Sequence, residues 1–187
     1  MRGGSKGVKG KNTRNLLSKP LMSYTINCAL NSILLDDVII SSDSDLILDI
    51  SKKYISEEKT YKRSKELSTD KASKWDVFRD LVLSYEKKNN TTITHLVDLD
   101  VTVPRRTVNH IDGCIKTALK SKIDVVITGY EPERNPYFNM MEETDNGNSV
   151  IVKKLDKPIV CRQDAPKVYS LSPAVYVVKR DALFNYE

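Results

Sequence analysis

Long apolar runs are missing from this sequence, and so is everything that depends on them. No stretch approaches the roughly 20 apolar residues that a membrane-spanning helix needs. The basic start is not followed by an apolar core, so no secretory signal is read. The expectation is a cytoplasmic protein with no membrane partner. Cysteine is scarce: Cys28, Cys114 and Cys161 are odd in number and far apart. They fit a reduced compartment and form no zinc spacing. His95 and His110 are the only histidines, too few for a histidine-based metal cluster. Glycine is scarce after the first dozen residues, since four of the seven are Gly3, Gly4, Gly7 and Gly10. Acidic residues are absent from the first 20 positions, where six basic ones stand: Arg2, Lys6, Lys9, Lys11, Arg14 and Lys19. The whole 187-residue chain carries a net charge of +5, so the remainder is near neutral. Charge confined to one end argues for a local anion site, not for a surface coated for nucleic acid.

What is present is a strand–helix alternation over a length that suits one domain. Pro20 fits the first turn of a helix. Leu21, Tyr24, Thr25, Cys28, Ala29 and Ser32 then recur at helical spacing. Val38 to Ile40 is a short β-branched run of the kind a buried parallel strand shows, and Ser41-Ser42-Asp43 is capping material for the next helix. Residues 56–72 are polar and predict a long loop. Trp75, Phe78, Leu81, Val82 and Tyr85 form a helical stripe. Thr94 to Asp100 predicts a strand, and Thr107 caps a helix carrying Val108, Ile111, Cys114, Ile115, Ala118 and Leu119. Asp124 to Tyr130 is a further strand. Periodicity fades from Glu131 to Ser170, where Asn-Pro and Asn146-Gly147-Asn148 predict loops and hairpins. Residues 174–183 close as a strand turning into a helix. The pattern predicts an α/β fold with a mostly parallel sheet flanked by helices, and ligands beyond the strands' carboxyl ends.

Four stretches carry chemistry. In Arg2–Asn12, glycines let backbone N–H groups approach an anion, Ser5 adds a hydroxyl, and Arg2, Lys6 and Lys11 supply positive charge. It is neither a Walker A loop nor a dinucleotide fingerprint. Taken alone it reads equally as a phosphate cradle or as a flexible basic tail. Asp98 and Asp100 alternate around Leu99 near a strand's carboxyl end, so a carboxylate there suits Mg²⁺ on a nucleotide. Asp98 is assigned to turn capping and Asp100 to function. Arg105 and Arg106 either meet phosphate or are solvated turn residues. Arg63, Asp70, Ala72 and Ser73 lie ahead of a helix and suit a base or ribose at its N-terminus, although capping explains them equally well. Arg162, Gln163 and Asp164 lie between a loop and a strand, where Arg162 suits either a substrate carboxylate or a structural pair.

Taken in order, these stretches resemble the acylneuraminate cytidylyltransferases. The shared motifs are Arg2-Gly3-Gly4-Ser5-Lys6-Gly7 with Lys11-Asn12, Lys19-Pro20-Leu21, Val38 to Asp43, Arg63 to Leu67, Thr69 to Ser73, Asn135-Pro136-Tyr137, and Arg162-Gln163-Asp164 with Pro166. The conjunction runs through nearly the whole chain. The resemblance implies a Rossmann-like nucleotidyltransferase fold and a homodimer. It implies transfer of CMP from CTP to a nonulosonic (sialic-acid-like) sugar acid, with Mg²⁺ and release of pyrophosphate, for surface glycan biosynthesis. Arg2, Lys6 and Lys11 are then the catalytic cations. Gly3, Gly4, Ser5 and Asn12 join them around the CTP phosphates, and Arg63, Ala72 and Ser73 line the nucleotide site. Asp100, Arg162, Gln163 and Tyr176 face the sugar acid, with Asp100 also a metal ligand.

Residues 1–187 are expected to be one partial cytidylyltransferase domain, with 131–170 as the excursion through which subunits exchange contacts. A first strand and an aspartate-rich metal segment are expected outside these residues. Asp100 stands where many members have glutamine, which suits a legionaminic or pseudaminic acid branch. Val103, Arg105 and Ser172-Pro173 also depart from the family pattern. Two alternatives stand beside this reading. One is the related cytidylyltransferase for the eight-carbon acid of lipopolysaccharide, and the other is a non-catalytic nucleotide or polyanion binder.

Overall fold

From the N-terminus, a 3-10 turn at Lys11–Thr13 leads into an antiparallel pair, β1 (Asn15–Leu16) and β2 (Lys19–Pro20), and then α1 (Leu21–Leu30). After these come β3 (Ile40–Ser42), α2 (Asp45–Ser51), β4 (Thr60–Lys62) and α3 (Lys74–Asn89). Next are β5 (His95–Asp98), α4 (Val108–Ser121) and β6 (Val125–Tyr130). The chain ends with β7 (Met141–Glu143), β8 (Ser149–Ile151), β9 (Ser170–Lys179) and α5 (Arg180–Asn185). This computed structural model describes residues 1–4, 7–121 and 123–186. The chain divides into two units, Met1–Thr128 with Pro173–Glu187, and Gly129–Ser172.

In the first unit the sheet order β5-β9-β6 puts β9 in the middle. Side chains alternate between faces along a strand, and β5, β6 and β9 from Val175 onward follow that period. Val97, Val126, Val175 and Val177 join Ile111, Ile115 and Ala118 of α4. Leu96, Val125 and Val178 join Phe78 and Val82 of α3 and Leu183 of α5. The sheet is thereby covered on both faces, and its β5 ends at Asp98. A separate cluster holds α1, β3 and α2 together through Met22, Ile26, Ile40, Ile47 and Leu48. An apolar cleft of about 540 Å³ is lined by residues of both β3 and β5.

The sheets are mixed. β3 pairs with β4 in parallel, Ile40 opposite Thr60, whereas β5 pairs with β9 antiparallel, Asp98 opposite Tyr176. The expected mostly parallel sheet is therefore not confirmed, because alternating burial gives a strand's faces and not its direction. The stretch 56–72, expected to be loop, contains β4. Its three residues are too few and too exposed to show a period. Ser41-Ser42-Asp43 does not cap α2 by a side chain: the cap residue is Ser44. Ends of other elements follow their local chemistry. α3 stops at Asn90, which takes the left-handed conformation (φ 48°) that asparagine tolerates at a helix end.

The second unit contains the antiparallel hairpin β7–β8. Asn135 organises the turn before it. Its Oδ1 accepts from Tyr137 N at 2.9 Å and its Nδ2 donates to the Pro166 carbonyl at 3.0 Å. Among the described residues no helix is long and apolar enough to cross a membrane.

Candidate functional site

The first four residues are tied down at several points. The Met1 amino group donates to the Ser41 carbonyl at 2.5 Å. Gly3 N–H donates to Asp43 Oδ1 at 2.8 Å, Asn12 Nδ2 donates to the Arg2 carbonyl at 2.9 Å, and Arg2 pairs with Asp70. Gly3 is required by close approach, since a Cβ there would stand 2.8 Å from Ser44 Cβ. Gly10 turns the chain at φ +63°, a conformation open to glycine. This loop is thus folded back on the end of β3, and the tail reading falls for its described residues. Ser5 and Lys6 lie outside the described residues.

The loop borders a cavity of about 530 Å³. Arg2, Gly4, Gly7, Lys11 and Asn12 line it from the loop, Arg63 and Ala72 from the segment before α3, and Asp98 and Asp100 from the end of β5. Arg63 is half-buried. Burial pulls its guanidinium pKa down from the usual arginine value, and the charges of Asp43 and Asp98 oppose that pull. Its Nε and Nη2 reach Ser41 Oγ and the Ser41 carbonyl, each at 3.3 Å.

Ser73 caps α3, its Oγ accepting from Trp75 N at 3.2 Å. Replacing it with alanine should cost about 1 kcal/mol and lower the melting temperature by about 2–4 °C. Calorimetry checks this, and an unchanged melt would remove the capping role.

The turn-bracing part expected of Asp98 falls to Asp100. Asp100 Oδ1 accepts from Thr102 N at 2.7 Å and from Thr102 Oγ1 at 2.6 Å, so Asp100 is the residue that braces the turn. Asp98 meets the Lys74 ammonium at 2.6 Å instead. Lys74 also lines the cavity, and no sequence motif singles it out. Asp43, expected as capping material, accepts the Gly3 N–H, and Asp70, named with Arg63, Ala72 and Ser73, pairs with Arg2. Tyr176 stands opposite Asp98 on β9, with Lys74 Nζ 4.3 Å from its ring centroid. Arg106 is neither solvated nor beside the cavity. It is 6% exposed and donates to the Asp100 and Ala174 carbonyls.

Arg162 and Gln163 belong to the second unit, in a 3-10 turn at Arg162–Asp164, where Arg162 Nη2 donates to the Glu133 carbonyl at 3.1 Å.

Among the described residues no group of three or more His, Cys, Asp or Glu is placed to hold a metal ion. Magnesium asks for less, taking one or two protein carboxylates when substrate phosphates supply further oxygens. Asp98 and Asp100 on one cavity wall meet that requirement.

The family described as Cytidylyltransferase matches residues 1–184. The chain is 37% identical over 184 residues to Post-translational flagellin modification protein B of Campylobacter coli, covering 98% of this chain and 77% of the relative. It is equally 37% identical, with the same coverage, to CMP-N,N'-diacetyllegionaminic acid synthase of Campylobacter jejuni. Among solved structures, CMP:2-keto-3-deoxy-manno-octonic acid synthetase complexed with CTP superposes with a TM-score of 0.71 at 13% identity, covering 100% of this chain and 74% of the other. That likeness is one of fold, an α/β nucleotidyltransferase fold.

Proposed function

Because the chain belongs to the cytidylyltransferase family, we propose that it transfers CMP from CTP to a nonulosonic, sialic-acid-like sugar acid and releases pyrophosphate. The observation that carries the reading is the loop of residues 1–12. Its described residues fold onto the end of β3 and line, with Arg63, a cavity that Asp98 and Asp100 also line. The acceptor class is supported by the likeness to a synthase named for legionaminic acid.

In the proposed reaction the sugar's anomeric hydroxyl oxygen attacks the α-phosphorus in line. The new P–O bond forms as the bond to the bridging oxygen of pyrophosphate breaks, and the hydroxyl proton is released to water. Negative charge grows on the phosphoryl oxygens and the leaving group, where preorganised cations and N–H groups act most strongly. Arg2, Lys11 and Arg63 supply the cations, and the Gly4 and Gly7 backbone admits the phosphates closely. Ser5 and Lys6 belong to the same loop by sequence and are assigned with it. Arg162, Gln163 and Tyr176 are assigned to the sugar acid. Asp100 would hold Mg²⁺ together with the phosphates, and the ion would neutralise charge on the departing pyrophosphate.

A homodimer through residues 131–170 is part of the proposal. It is supported by the exposure of Met141, Val160, Tyr169 and Leu171 in the second unit. A cytoplasmic location is likewise part of the proposal.

The experiment is a pyrophosphate-release assay with CTP, Mg²⁺ and a panel of sialic, legionaminic, pseudaminic and eight-carbon keto acids. Release is expected only when CTP, Mg²⁺ and one nine-carbon acid are present together. Release with the eight-carbon acid alone would transfer the reading to that substrate. No release with any acid, beside intact CTP binding, would leave a nucleotide binder.

A further inference from the structure

We propose that Lys74 is the built-in counter-ion of Asp98. While the pair stands, Asp98 Oδ2 is withheld from a divalent cation, and Asp100 is the carboxylate that the cavity offers to one more readily. The inference rests on the reading of this cavity as a nucleotide–metal site, and its test uses the metal alone so that the two stand or fall separately.

Lys74 is the first residue of α3, where a cation opposes the positive end of the helix dipole. Helix preference therefore does not explain a lysine there. Its surroundings do. The Nζ stands 2.6 Å from Asp98 Oδ2, 4.3 Å from the Tyr176 ring centroid and 5.4 Å from that of Phe78. Asp98 and Tyr176 are paired in register on β5 and β9, so the ammonium rests on a carboxylate and a ring that the sheet itself holds side by side. Aromatic faces attract cations, which adds a second restraint to the ion pair.

The Asp98 oxygen that faces Lys74 is buried and has no hydrogen-bond partner among the described residues, so the ammonium at 2.6 Å meets it as a charge at contact distance, while Arg63 and the Met1 amino group act on Asp98 from further off. Asp100 is balanced differently. Its Oδ1 accepts from the Thr102 N–H and hydroxyl, donors that stabilise the carboxylate without bringing a full charge near it. Both aspartates line the cavity, but among the described residues only Asp98 has a side-chain cation in an ion pair with it; the charges of Arg106 and the Met1 amino group act on Asp100 without pairing with it. A divalent ion sits about 2.0–2.1 Å from a ligating oxygen, and an ammonium on that same oxygen repels it. The two cannot share Asp98 Oδ2.

Mn²⁺ titration of the nucleotide-free protein, followed by electron paramagnetic resonance, tests this. Lys74→Met keeps an unbranched stem over Tyr176 and Phe78 and removes the charge. Its Mn²⁺ affinity should rise about tenfold or more, since a like charge at contact distance is lost. Adding Asp98→Asn to Lys74→Met should return the affinity to the wild-type value. Lys74→Arg should bind as the wild type does, which shows that charge rather than packing is read, and thermal melts of each variant report folding independently. An affinity unchanged or weakened in Lys74→Met overturns the proposal, as does undetectable Mn²⁺ binding by both proteins. If Lys74→Met tightens Mn²⁺ while no sugar acid supports pyrophosphate release, the counter-ion role stands and the enzymatic reading falls. Release with unchanged Mn²⁺ affinity is the converse.

Discussion

Arg106→Ala should cost about 3–5 kcal/mol of stability, because it leaves several buried acceptors without a donor. Arg106 Nη1 donates to the Asp100 carbonyl at 3.0 Å and to the Ala174 carbonyl at 2.6 Å, and Nη2 donates to Thr25 Oγ1 at 2.8 Å. One side chain thus joins α1, the turn after β5 and the middle of β9. Cys28 Sγ completes the cluster by donating to the Arg106 carbonyl at 3.5 Å. Burial pulls the guanidinium pKa down from the usual arginine value, so the charge sits at a cost that these oxygens offset. Nε, buried with no hydrogen-bond partner among the described residues, is part of that cost. For a chain of this length the loss corresponds to about 6–20 °C in melting temperature. Urea denaturation of Arg106→Ala and Arg106→Met measures it. Methionine refills volume without restoring donors, so it should recover only the packing part. A loss under about 1 kcal/mol for alanine would show that the carbonyls find water instead. Because Asp100 is anchored through its own carbonyl, the same variant should also loosen the carboxylate that lines the cavity.

Arg106 illustrates what the sequence could and could not disclose. Helices and strands with a strong period were legible: the stripe of Trp75, Phe78 and Val82, that of Ile111, Ile115 and Ala118, and the close of the chain around Val175 to Leu183. Each repeats one physical instruction over several turns or strand residues. The direction of a strand carries no such repetition, which is why the sequence pattern does not show β9 running antiparallel to β5. Partners across long chain separations were equally hidden. Spacing placed Asp98 and Asp100 near one strand end, but which of them braces the turn depends on Thr102 and on Lys74, and Lys74 lies on a different element. The glycine loop shows the same limit. Its composition allowed a cradle or a tail, and the decision came from Asp43 accepting the Gly3 N–H and from Asp70 pairing with Arg2. Gly3 itself was legible as permissive backbone, whereas its tight approach to Ser44 needed the fold.

Lys11→Ala should weaken CTP binding about 10- to 100-fold, the equivalent of one charge-assisted hydrogen bond. Lys11 opens the 3-10 turn just after Gly10, whose positive φ carries the loop around, and its residue lines the cavity beside Asn12. Among the described residues no carboxylate forms an ion pair with it, unlike Arg2, whose guanidinium is engaged by Asp70. That difference ranks the two. A phosphate reaching Arg2 must compete with an existing ion pair, so Arg2→Ala removes a gain already discounted by the broken pair. A phosphate reaching Lys11 displaces only water, so Lys11→Ala should weaken binding more than Arg2→Ala does. Calorimetric titration of CTP at low, fixed ionic strength measures both, since screening shrinks the contrast at high salt. Lys11→Arg should keep most of the affinity because it keeps the charge, and the melting temperature of Lys11→Ala should stay that of the wild type because no native ion pair is lost. Equal CTP affinity in wild type and Lys11→Ala would remove the loop from the nucleotide site. A larger loss for Arg2→Ala would instead mean that the Arg2–Asp70 pair opens readily and that Arg2 carries the main phosphate contact.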